Sequence, residues 1–364
     1  MQPWAGRRRA GVLSAIAVLA VLAATLWPYR PFPANGAHWI EATRGIRFEK
    51  DGLVLSDDVL QPPANDADSY TLELLLKPAS VESSHTILAF YERGCPTQFL
   101  VRQWTDGLLV THDANVERDR TQTIKFDVDH AFSVEKTVLV TISAGADGTT
   151  VYLDGVPAGR FARFKIARHE MAGQIVLGTS PVTYHPWQGE LSGLAIYSTE
   201  LTASKVQQHY KQWTEATDTP DLDHALARYT FAQSPSQSIP SQVSSGPTLR
   251  IPPAFSIPHK PWLHSAIDQF RPDWRYASDV LVNIVGFMPL GLILCAYLEW
   301  TGSRPQAILL STLACGTLSV LIEILQYYVP RRGSDMTDII TNTLGAFLGA
   351  MLIRRISRTR FFVE

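Results

Sequence analysis

The sequence predicts a mixed fold, an α-helical membrane bundle of about four spans joined to an extracytoplasmic all-β sandwich of the jelly-roll kind. Three observations predict it. Long apolar runs gather at the two ends of the 364-residue chain. Between them lie short alternating runs parted by Asp-Gly turns. The last apolar runs also hold acids and amides at helical spacing, groups that are expensive in lipid unless they face one another.

The first apolar run, residues 10–27, follows Arg7, Arg8 and Arg9 and has about the 18 residues that a span needs. A cleaved signal peptide has the same charged start and apolar core. The run ends, however, in Trp27-Pro28-Tyr29-Arg30, an interfacial anchor rather than a small-residue cleavage site, which favours a retained membrane helix.

Residues 37–214 read as all-β. Alternating or β-rich runs fall at 70–77, 86–91, 97–104, 107–111, 137–143, 149–153 and 174–177. Asp51-Gly52, Asp106-Gly107, Asp147-Gly148 and Asp154-Gly155 supply the turns, a strong hairpin signal. Many short strands with turns at this spacing make a sandwich or jelly roll. The stretches 71–78, 137–159 and 174–210 contain the hairpin Tyr152-Leu153-Asp154-Gly155, the turn Trp187-Gln188-Gly189 and a closing helix over 201–210. In these pieces the segment resembles laminin-G-like, concanavalin-type domains. The resemblance implies the fold and leaves function open, because such sandwiches bind sugars, proteins or calcium, or support a neighbour. The segment shows no acidic cluster of calcium-ligand spacing and no clear carboxylate pair for glycoside hydrolysis. Arg93, Trp104, Tyr184, His185 and Trp187 are the candidate contacts for a glycan or a protein partner; the alternative is that the tryptophans fill the core.

Residues 215–278 shift to Pro, Ser and Gln and read as a linker, with strand-like islands at 227–231 and 248–251 that would return to the sandwich. Trp262, Leu263, Ala266, Ile267 and Phe270 share one helical face, which predicts a short helix on the membrane surface, a plain connector being the alternative.

The segment 279–354 holds three more apolar runs, at 280–300, 306–329 and 336–353. Pro289, with Gly286 and Gly291, is expected to kink the first, and Gly345 with Gly349 to bring the last close to a neighbour. Cys295 and Cys315 read as packing residues, Cys95 stands alone and no CxxC pair exists, so neither a disulfide framework nor a metal or cofactor site is expected. A net charge of −2 without a basic stripe speaks against nucleic acid as a partner. The N-terminal arginines and Arg354, Arg355, Arg358 and Arg360 favour a cytoplasmic location for both ends; four spans satisfy both and put 34–279 outside.

The polar groups within these runs are the candidate membrane site. Ser319, Glu323 and Gln326 share one helix face, and Asp335, Asp338 and Asn342 share another. Arg332 lies in the turn between them, placed to pair with one of the acids, and Asn283 sits near the start of the preceding span. The order E-x-x-Q, P-x-R-x-x-D-x-x-D, N-x-x-G, with Asn283, Pro289 and Gly291 upstream, resembles the VanZ-like family of bacterial membrane proteins. That resemblance implies an initial spanning helix and a link to low-level resistance to the glycopeptide antibiotic teicoplanin, without a settled chemistry. Two readings stand. In one, the site binds or acts on a membrane lipid, a lipid-linked glycan or a cell-wall glycan, with Glu323 or Asp338 as general base and Arg332 holding an anionic group. In the other, the polar residues are packing glue in a non-catalytic anchor that presents an adhesive sandwich. The sequence has no HExxH, GxSxG or Gly-rich phosphate loop, so it supports no particular reaction class.

Overall fold

The computed structural model describes residues 3–40, 44–63, 68–92, 99–116, 120–215, 220–231, 236–302 and 305–360. The chain forms two compact units, Pro33–His259 and the remainder, Met1–Phe32 with Lys260–Glu364.

The first unit is a sandwich of two eight-stranded sheets. One runs β1 (Ala37–Ile40), β2 (Gly45–Phe48), β13 (Gly189–Tyr197), β4 (Tyr70–Pro78), β9 (Val138–Gly145), β10 (Gly148–Leu153) and β11 (Val156–Phe161), with β14 (Ala225–Thr230) also paired to β13. The other runs β15 (Ser238–Ile239), β16 (Leu249–Arg250), β3 (Val54–Leu60), β12 (Gly173–Leu177), β5 (Ser84–Tyr91), β6 (Phe99–Trp104), β7 (Gly107–Val116) and β8 (Arg120–Val128). Every strand pairing is antiparallel, and hairpin neighbours such as β9 and β10 are joined by short turns. The β10–β11 turn has positive φ at both Asp154 (52°) and Gly155 (78°), the conformation that Asp-Gly adopts with least strain. Leu72, Leu74, Leu76, Val140 and Ile142 meet Phe90, Phe99, Val101 and Val110 in one core. Strand β4 is buried on its other face as well, because α2 (Ala203–Glu215) covers it. There the His209 ring meets the Glu73 carboxylate at 3.0 Å, and the Trp213 indole N–H donates to it at 2.9 Å. The ends of the unit are joined. Phe255 N–H donates to the Pro33 carbonyl at 2.8 Å, Asn35 N–H to that of Pro253 at 3.2 Å, and Ala34 bridges Ala254.

The second unit consists of α1 (Pro3–Leu26), the single turn α3 (Ala266–Gln269), α4 (Trp274–Trp300), α5 (Ala307–Tyr327) and α6 (Met336–Arg360). Trp274–Trp300, Ala307–Tyr327 and Met336–Arg355 are each long and apolar enough to cross a membrane; the described apolar part of α1, Gly11–Leu26, is shorter. The helix expected over 262–270 is confined to α3. Val285, Leu309, Leu313, Ile340 and Leu344 are exposed on the helices, as lipid-facing residues are. Phe287, Leu290, Cys315, Ile322 and Ala346 pack inward with Ala17, Val21 and Leu22 of α1. Helix α4 continues through Pro289. A Cβ at Gly345 or Gly349 of α6 would collide with the backbone of α4 at Ile284 or Met288, so these two helices touch through their main chains.

Candidate functional site

The polar groups of the membrane unit collect where α5 ends and α6 begins. Glu323 sits two helical turns or less before the end of α5 and is 2% exposed. Its carboxylate accepts the Asp335 backbone N–H at 2.8 Å. The turn that supplies this donor is pinned by the segment before α3: His264 N–H donates to the Ser334 carbonyl at 2.8 Å, and Met336 N–H to that of His264 at 3.1 Å. Lys260 starts that segment, and its Nζ donates to the carbonyls of Gln326, Tyr327 and Val329 at 3.2, 2.7 and 2.8 Å. These carbonyls gather at a helix C-terminus, where a cation is favoured. Burial lowers the Lys260 ammonium to about 8, while Asp335 and Glu323 act against the shift.

The remaining candidates pair across helices. Asn283 of α4 donates to Asp338 of α6 at 2.8 Å. Asn342 of α6 donates to the Ser319 hydroxyl of α5 at 2.9 Å. Gln326 donates to the Thr25 carbonyl of α1 at 3.0 Å. Arg332 departs from expectation. Its side chain is exposed and donates to the Trp27 carbonyl at 3.4 Å rather than to an acid, since the end of α1 offers an acceptor at the level of the turn. Lys260 is a cation close to Glu323 and Asp335 that sequence reasoning missed; it lies more than sixty residues upstream in a proline-rich stretch, and no local spacing signals it. Among the described residues no group of three His, Cys, Asp or Glu side chains is arranged to hold a metal ion.

The sandwich candidates do not form one patch. Trp187 is 1% exposed, packs at 5.7 Å on Phe48 and donates to Gln103 at 2.8 Å, so it is a core residue and offers no platform. Tyr184 is half-buried against Phe255, with its hydroxyl on Asp51; burial and that acid raise its pKa. The His185 ring meets the Thr183 hydroxyl at 2.9 Å. Trp104 is 56% exposed on the outer face of β6. Arg93 lies outside the described residues.

A β-sandwich that lies in the sequence between apolar helices, with a buried acid near the end of one of those helices, defines a membrane protein of several helices that carries one folded β-domain. Sequence comparison places its parts. Residues 222–358 match the VanZ/LLP1 family, and residues 49–207 match the Concanavalin A-like lectin/glucanases superfamily, so the chain carries a VanZ/LLP1 domain and a concanavalin-like domain. Protein VanZ of Enterococcus faecium is 34% identical over 74 residues, which are 20% of this chain and 43% of that protein; the chain thus spans less than half of that relative's length. Among solved structures, a heptameric SAP-like pentraxin of Limulus polyphemus shares 16% identity at a TM-score of 0.36, over 61% of this chain and 93% of that one. The IT-sialidase CBM40 of Ruminococcus gnavus, bound to alpha2,3 sialyllactose, shares 15% identity at 0.32, over 39% and 83%. The fold assignment rests on strand order and the family match, not on these two likenesses.

Proposed function

We propose that the protein binds, and acts on or presents, an envelope lipid or lipid-linked glycan at the outer face of a bacterial plasma membrane, with the sandwich recognising the glycan. The observation that carries this reading is Glu323, a carboxylate 2% exposed within an apolar span. It shares its surroundings with Asp335, Asp338 and Lys260, more ionisable groups than helix packing requires. Glu323 or Asp338 is suited to take a proton from a bound head group, and Lys260 to attract an anionic one. Both ends of the chain are cytoplasmic in this proposal and residues 34–279 are outside, with α1 as the first of four spans. The family name lectin/glucanases of the matching superfamily supports a glycan as the sandwich ligand.

The non-catalytic anchor reading draws on different residues. The bonds Asn342–Ser319 and Gln326–Thr25 tie helices to one another, and in this reading these amides are packing glue. The two readings part at the acids. Glu323→Gln and Asp338→Asn keep shape and remove charge. Purified from membranes, both variants should melt near the wild-type temperature yet lose the co-purifying lipid seen by mass spectrometry, and a host expressing them should lose any added tolerance to teicoplanin. Lys260→Met, which removes a helix cap and the cation together, should lower both stability and lipid retention. If the acid variants melt low like Lys260→Met and keep their lipid, the acids are glue as well.

A further inference from the structure

The outer face of the second sheet is divided. Over β3, β12 and β5 it is covered, since Leu53, Ala89 and Val176 pack against Phe255 and Ile257. Over β6 the same face carries Arg102, half-buried, and Trp104, exposed. Two residues apart on one strand, they project to the same side about 7 Å from each other, a distance comparable to a sugar ring.

Among the described residues Arg102 has no counter-ion. Its Nη2 donates to the Ser84 hydroxyl at 3.2 Å, and its Nε is buried with no hydrogen-bond partner. Among the described residues no carboxylate lies within ion-pair distance of it, and burial alone acts on its charge. Its cross-strand neighbour Thr86 is 1% exposed and also leaves its hydroxyl without a partner. The imidazoles of His85 and His185 are close enough to feel the guanidinium. The loop holding His185 is fixed beside β5 by the Thr86 N–H, which donates to the His185 carbonyl at 3.1 Å. Removing a charge from water without pairing it is costly, and an anionic ligand is the direct compensation. Trp104 also borders a depression of about 280 Å³ lined by Asp106, Asp127 and Asp129 together with Lys125.

We propose that Arg102 and Trp104 form a binding site for an acidic saccharide, the guanidinium holding its carboxylate or phosphate and the indole stacking on the sugar ring. This rests on the glycan-binding reading of the sandwich and adds the charge of the glycan. The test uses the full chain in detergent with three probes: an oligogalacturonate, its methyl ester, and a sugar phosphate oligomer. The free acid should bind at least about 10-fold tighter than its ester, because the ester cannot accept the charge-assisted pair. Arg102→Gln should erase that difference with a loss of about 10- to 100-fold, and Trp104→Ala should weaken acid and ester alike. Arg102→Lys keeps the charge without the fork, and it should lose several-fold with an unchanged melting temperature; it decides the matter if Arg102→Gln fails to fold. Binding of the phosphate probe alone would support the site with phosphate as its anion. Equal binding of acid and ester, indifferent to Arg102→Gln, would overturn the acidic preference and leave glycan binding intact. No binding to any probe would overturn both.

Discussion

At the scale of single residues, the same pair of imidazoles makes the sandwich sensitive to acid. His85 and His185 both have pKa values below the usual 6.5, through burial first and then the charge of Arg102. A base whose folded pKa is lowered contributes no penalty above 6.5. As pH falls through that value the unfolded chain takes up protons that the fold resists, so stability declines. The thermal midpoint of the sandwich should therefore drop between about pH 7 and about pH 5, and a His85→Gln, His185→Gln double variant should flatten the profile. Neither this cluster nor the other buried polar groups were fully legible in the sequence. Glu323, Asp338 and Asn283 stood out because a charge or amide in an apolar run is conspicuous. Glu73 did not, because alternation put it on the outer face of β4, and only the packing of α2 buries it to 0%. Trp187 stood between platform and core in the sequence, since exposure of an indole is decided by the opposite sheet, not by its neighbours in sequence.

At the scale of elements, strands were read from β-rich runs, as at β4 and β12, and most plainly where an Asp-Gly turn framed the run, as at β9 and β10. Strand β8 alternates too, but no glycine turn frames it, and it escaped notice. The contact between α4 and α6 was half legible: Gly345 and Gly349 announced a close approach, while the identity of the partner came from the structure. A larger side chain at these positions must push two backbones apart. Gly345→Leu should destabilise the helical unit by about 1–3 kcal/mol or more, as overpacking does. Gly286→Ala, at a site with nothing within 4 Å, should be neutral or slightly stabilising. Thermal melts of both variants in one detergent check the contrast, and equal melting would mean that α4 and α6 are not in main-chain contact.

At the scale of the whole molecule, the proposed sidedness has a direct check. Reporter fusions after Trp300 and after Arg355 should report cytoplasm, and one in the turn at 242–246 should report the outside. A cytoplasmic signal from that turn would remove the sandwich from the outer surface and with it the proposed glycan. The way the sandwich closes has a further consequence, for heredity. Its first and last residues leave through one seam, where Ala34 lies against Ala254. A stretch of gene that begins and ends at one point in space can be lost, gained or traded by recombination with only a short splice left behind, and the helices on either side keep their order. The β-domain is in that sense a cassette, which selection can exchange without rewriting the part that sits in lipid.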